Sequence, residues 1–100
     1  MSEKIVIIIE ADLEDLIPGF LANREQDIQL MQAALAMQDF ETLRSKGHKI
    51  KGASGSYGFD ELSELGLKIE NAAKITDADT IRLCLDRMQD YLQSLEIRYE

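Results

Sequence analysis

Four stretches in which apolar residues return every three or four positions are separated by connections of only two to four residues. That spacing gathers the apolar side chains on one stripe of a helix, and such a stripe has to be buried against another element. Connections this short make each helix fold back along its predecessor. The expectation is an all-α chain, an antiparallel up-down four-helix bundle preceded by a short extended or helical segment. The stretches cover about residues 20–37, 40–57, 61–74 and 76–98. Their stripes include Ile28, Met31 and Leu35 in the first, Leu62, Leu65 and Ile69 in the third, and Ile81, Leu85, Met88, Leu92 and Leu95 in the fourth.

Boundaries follow from capping chemistry. Asp12 is placed to cap a turn over residues 13–17, after which Pro18 removes a backbone donor and kinks or restarts the helix. Asp39 can cap the second helix and Gly58 end it, Asp60 can cap the third, and Thr76 with Asp79 forms a variant capping box for the fourth. No repeat or low-complexity linker divides the chain, so one domain over residues 1–100 is expected, with the bundle at about 12–98.

The run Ile5-Val6-Ile7-Ile8-Ile9 must find burial against the bundle or in a partner chain. It is far too short to span a bilayer and lacks the flanks of a signal peptide, so a cytoplasmic chain without membrane contact is expected. The single Cys84 cannot form an internal disulfide, and with one histidine in the chain no Cys/His metal cage is expected. A net charge of −8 argues against nucleic acid as a partner. A protein partner and a monomeric state are the expectation.

The stretch 40–57 resists explanation by packing alone. On a wheel of about 100° per residue centred on Ile50, Leu43, Ala53, Ser54 and Tyr57 fall within about 60°. His48 falls at about 160°, so its ring should face solvent, among Glu41, Arg44, Ser45, Lys51, Gly52 and Gly55. A glycine in an exposed helix interior costs roughly 0.8–1 kcal/mol relative to alanine, so Gly52 and Gly55 lack an internal reason to be bare. They clear an approach over one side of the imidazole. Arg44, Lys46, Lys49 and Lys51 place four of the chain's eleven basic residues in this window, which suits an anion or an acidic pocket on a partner. Gly47, at about 60°, reads as a tight helix contact, and Lys46 lies close to the apolar side and must snorkel outward.

The run from His48 to Gly58 (His-Lys-Ile-Lys-Gly-Ala-Ser-Gly-Ser-Tyr-Gly) resembles the phosphoacceptor signature of histidine-phosphotransfer (HPt) domains of two-component phosphorelays. The segment from Leu16 to Leu21, the start at Asp39-Phe40 and the segment from Leu67 to Ala72 resemble that family's flanking helices, so the likeness covers about residues 12–96. Gly47 stands where the family more often has alanine, and Lys46 where a less polar residue is common. The resemblance implies that His48 is phosphorylated, that Lys51 contacts the phosphoryl group, and that Gly52 and Gly55 leave room for an incoming receiver domain. It further implies a receiver or a hybrid sensor histidine kinase as partner, with Mg²⁺ supplied by the receiver and no cofactor held by this chain.

Neutral imidazole is a competent nucleophile near neutral pH without a separate base. Phosphoryl transfer depends mostly on positioning and charge neutralisation, so such a carrier can be chemically simple. Lys51 and Arg44, three residues after and four before His48, are within reach of a group on the ring. No phosphate-binding glycine loop occurs, so self-phosphorylation from ATP is not expected. Two other readings compete. One is a helical module that binds a receiver or kinase without being phosphorylated; the other is an adaptor working through residues 5–9.

Overall fold

A computed structural model describes residues 4–100. Strand β1 (Ile5–Ile9) leads through a 3-10 turn (Ala11–Leu16) into four helices: α1 (Ile17–Ala36), α2 (Phe40–Ser56), α3 (Asp60–Lys74) and α4 (Ala78–Ser94). Strand β2 (Leu95–Tyr99) follows. The fold is an all-α bundle with a small two-stranded addition. Each helix packs on its sequence neighbours, and α4 returns against α1. The core sits where the four stripes meet, with Met31, Leu43, Ile50, Ile69, Ile81 and Met88 removed from solvent. At one end, Phe20 stacks on Phe59 at 5.2 Å and meets Tyr57 edge-on at 5.0 Å, so three aromatic rings seal the α2–α3 turn.

The helix boundaries correct several expectations. Asp12 caps nothing: the 3-10 turn starts after Glu10 without a side-chain cap. Pro18 lies in the first turn of α1, where no donor is required, and so starts the helix. Asp39 does cap α2, accepting from Thr42 N at 3.2 Å, and Gly58 adopts φ +88 just past its end. Asp60 lies inside α3, whose N-cap is Phe59 with no side-chain bond; its charge there complements the helix dipole. Thr76 and Asp79 form no capping box. Asp77 caps α4 instead, accepting from Thr80 N at 3.2 Å, while Thr76 turns the chain with φ +53.

The fourth helix also stops short of the expected residue 98. After Ser94 the backbone becomes extended and pairs in parallel with β1, from Ile5 opposite Leu95 to Ile9 opposite Tyr99. The run at 5–9 is therefore a strand. Ile5, Ile7 and Ile9 turn toward the core, while Val6 and Ile8 remain 44% and 61% exposed.

The α2–α3 contact positions the residues discussed next. Gly47 and Gly66 face each other so closely that a Cβ on Gly47 would lie 2.7 Å from Gly66 O and 2.8 Å from Glu70 N. One on Gly66 would lie 2.7 Å from Gly47 O. The two backbones touch, as the wheel position of Gly47 implies. Gly47 stands by Glu70, and further along Ser63 donates to Lys51 O at 2.8 Å, so the two helices run in opposite directions.

Candidate functional site

The capped start at Asp39 and the buried Leu43, Gly47, Ile50 and Ser54 fix the rotation of α2. His48 is thereby turned outward, its side chain 61% exposed. Its Nδ1 lies 3.1 Å from Oε2 of Glu70 on α3, a carboxylate only 9% exposed. Glu70 was absent from the sequence-based candidates, and it decides the tautomer. Desolvation pushes the Glu70 carboxyl up, but the hydrogen bond from His48 and the charges of His48, Lys51 and Lys74 outweigh it and hold the pKa below the ordinary 4.5. An ionised carboxylate only accepts, so Nδ1 carries the proton and donates. In the neutral ring, Nε2 is left with the lone pair.

Two lysines complete the surroundings of Glu70. Lys51 Nζ lies 3.7 Å from Oε1, and Lys74 Nζ lies 3.9 Å from Oε2. Oε1 is buried and makes no hydrogen bond, so the pull on Lys51 is an ion pair without a directed bond. Lys51 can leave that position at modest expense. Arg44 is engaged elsewhere: its guanidinium pairs with Glu41, and that hydrogen bond is the main reason its pKa rises. Ser45 sits half-buried one turn before His48. Lys46, expected near the apolar side, reaches α1, where its Nζ lies 3.2 Å from Asp27, itself paired with Arg24 at 3.0 Å.

The bare positions are open. A Cβ on Gly52 would meet nothing within 4 Å, and one on Gly55 would make ordinary contact with Ser63 Oγ at 3.6 Å. Neither glycine is required by this chain's own packing, in contrast to Gly47 and Gly66. His48, Lys51, Gly52 and Gly55 thus lie on one accessible side of α2, with Glu70 supporting the ring from α3. Among the described residues no group of three or more His, Cys, Asp or Glu side chains could hold a metal ion, and no helix is long and apolar enough to cross a membrane. Cys84 is buried, which pushes its thiol pKa up.

Acid should dismantle this arrangement in a defined window. A carboxyl titrating lower in the folded than in the unfolded chain contributes stability above its unfolded value, near 4.5 for Glu70, and loses it as pH falls through the folded value. Asp39 and Asp77, held below the ordinary 3.8 by their bonds to Thr42 and Thr80, act in the same sense slightly lower. The urea midpoint is expected to fall steeply once the pH drops below about 4.5. In Glu70→Gln the fall should be shallower, because that carboxylate no longer contributes at neutral pH.

Comparisons with known proteins follow the same lines. Residues 15–97 match the Hpt domain family. Among curated proteins the chain is similar to the aerobic respiration control sensor protein ArcB of Escherichia coli (strain K12) and to that of Shigella flexneri. Each is 29% identical over 80 residues, which is 80% of this chain and 9% of the relative. The matched stretch therefore spans less than a tenth of the length of those relatives. No solved structure gives a match.

Proposed function

The chain belongs to the Hpt domain family, and on that premise we propose that it carries a phosphoryl group on His48 and exchanges it with a receiver-domain aspartate. The receiver is that of a response regulator or of a hybrid sensor histidine kinase. The observation that carries this reading is the 3.1 Å contact from His48 Nδ1 to Glu70, which leaves Nε2 as the nucleophile.

In the reaction, the Nε2 lone pair attacks phosphorus in line with the aspartyl oxygen. An N–P bond forms, the acyl P–O bond breaks, and the partner's carboxylate departs with the electron pair. The Nδ1 proton stays in its hydrogen bond to Glu70, whose negative charge offsets the positive charge developing on the ring. Lys51, held near Glu70 only by charge, turns toward the phosphoryl oxygens. Arg44 can join it by leaving Glu41. Mg²⁺ comes with the receiver, and Gly52 and Gly55 let that domain approach. The proposal places the chain in the cytoplasm, where a chain with a single unpaired thiol is at home.

The test is incubation of the purified chain with receiver domains charged by radiolabelled acetyl phosphate. Label should appear on this chain as an acid-labile, base-stable phosphoramidate and be absent from His48→Gln. A chain that binds the receivers equally well with and without His48 and never takes up label would be a non-catalytic interaction module.

A further inference from the structure

Between β1 and the α2–α3 turn lies an open cleft of about 230 Å³, bordered by Ile8, Glu10, Leu13, Ser56, Tyr57 and Gly58. The strand pairing explains why the apolar side chain of Ile8 stands at its rim. Glu100 N donates to Ile9 O and Ala11 N to Glu100 O, both at 2.9 Å, so odd-numbered residues of β1 use their backbone groups on β2. Side chains alternate as well, and with the odd-numbered ones turned inward Ile8 is left outward and 61% exposed at the cleft. Glu10 beside it is exposed and enters no ion pair among the described residues. Exposed Asp12, Glu14 and Asp15 follow.

The cleft lies at the C-terminal end of α2, beyond its bare side. Ser56 lies eight residues after His48, about 12 Å of helix. A partner centred on His48 and covering the usual area of about 800 Å² would extend about 16 Å from it. Such a footprint reaches Ser56, at the near border of the cleft. In the other direction along α2 it meets the Glu41–Arg44 ion pair, a solvated feature with no concavity. The charge also changes sign along the way, from the basic window at residues 44–51 to the acidic group starting at Glu10.

We infer that this cleft is a specificity contact for the receiver: it takes an apolar side chain of that domain, with a basic residue of the receiver set against Glu10. The inference rests on the proposed transfer to His48 and names a second contact of the same partner. A receiver that fits has an acidic phosphorylation pocket and, beyond the roughly 12 Å of helix that separates His48 from Ser56, an apolar residue beside a cation.

The experiment uses the full chain and the receiver that labels His48 fastest in a panel charged with acetyl phosphate. Ile8→Ser and Glu10→Lys should each raise the KM for that phosphorylated receiver about tenfold with kcat unchanged. Val6→Ser, outward on the same strand but away from the cleft, serves as the control and should leave KM unchanged. Labelling of His48 by phosphoramidate, a donor too small to need docking, should be equal in all four proteins. A KM within twofold of wild type in both Ile8→Ser and Glu10→Lys overturns the cleft contact while leaving transfer to His48 intact. No labelling of the wild-type chain by any receiver removes the transfer reading itself.

Discussion

Gly52→Gln is expected to fold more stably than the wild type and to accept phosphoryl groups from a receiver about a hundredfold more slowly. The two effects have separate causes. An exposed mid-helix glycine costs roughly 0.8–1 kcal/mol relative to alanine, and glutamine recovers most of that. Nothing within 4 Å opposes the new Cβ, so the melting temperature should rise by several degrees. The added side chain, however, stands one turn beyond His48 on the side a partner must approach. Displacing the docked domain by even an ångström misaligns the in-line geometry on which phosphoryl transfer depends. Gly52→Ala should show the same stabilisation with a smaller loss. Reaction with phosphoramidate should be unaffected in both variants, since that donor needs no flat approach. Circular dichroism melts and the two labelling assays together check it. Equal receiver transfer in wild type and Gly52→Gln would mean that the bare face serves some other end.

The sequence reveals one side of this site and hides the other, for a physical reason. His48, Lys51, Gly52 and Gly55 lie on one helix, where a period of 3.6 residues converts spacing directly into direction. Their outward placement follows from the stripe of Leu43, Ile50 and Ser54, all buried. Glu70 reaches the same ring across 22 residues of chain, and no local period encodes that distance. A signal did exist: on the wheel of α3, Gly66 and Glu70 fall within about 80° of Leu62, so a glycine and a carboxylate share the buried side of one helix.

Residues 95–99 misled for the opposite reason. Leu92 and Leu95 continue the helical stripe of α4, while Leu95, Ile97 and Tyr99 alternate with Glu96 and Arg98 as a strand does. Both patterns fit Leu95. Pairing with Ile5–Ile9, some ninety residues earlier, decides between them, and that contact is tertiary. The cap of α2 is legible at Asp39, while those of α3 and α4 lie one residue from the expected Asp60 and Thr76: Asp39 and Asp77 each bond to a threonine three positions on, a pattern that Asp60 and Thr76 only resemble by proximity.

Gly47→Ala is expected to lower stability by about 2 kcal/mol, a fall in melting temperature of roughly 10 °C, although alanine is the better helix former. Its Cβ would lie 2.7 Å from Gly66 O, 2.8 Å from Glu70 N and 3.2 Å from Ile69 Cγ2. The first two are backbone atoms and cannot rotate away, so α2 and α3 must separate. The strain outweighs the gain of roughly 0.8–1 kcal/mol in helix propensity. Separation also carries Glu70 away from His48, stretching the 3.1 Å bond that holds the proton on Nδ1. Labelling by phosphoramidate should therefore slow as well, by about tenfold, because general positioning of the nucleophile is disturbed. That dual loss distinguishes Gly47 from Gly52, whose replacement spares the small donor. Gly66→Ala should behave like Gly47→Ala, since its Cβ would meet Gly47 O and Lys51 N, each at 2.7 Å. An unchanged melt for both variants would show that the two helices have slack at this crossing, and the close backbone contact would then not be what sets the imidazole against its carboxylate.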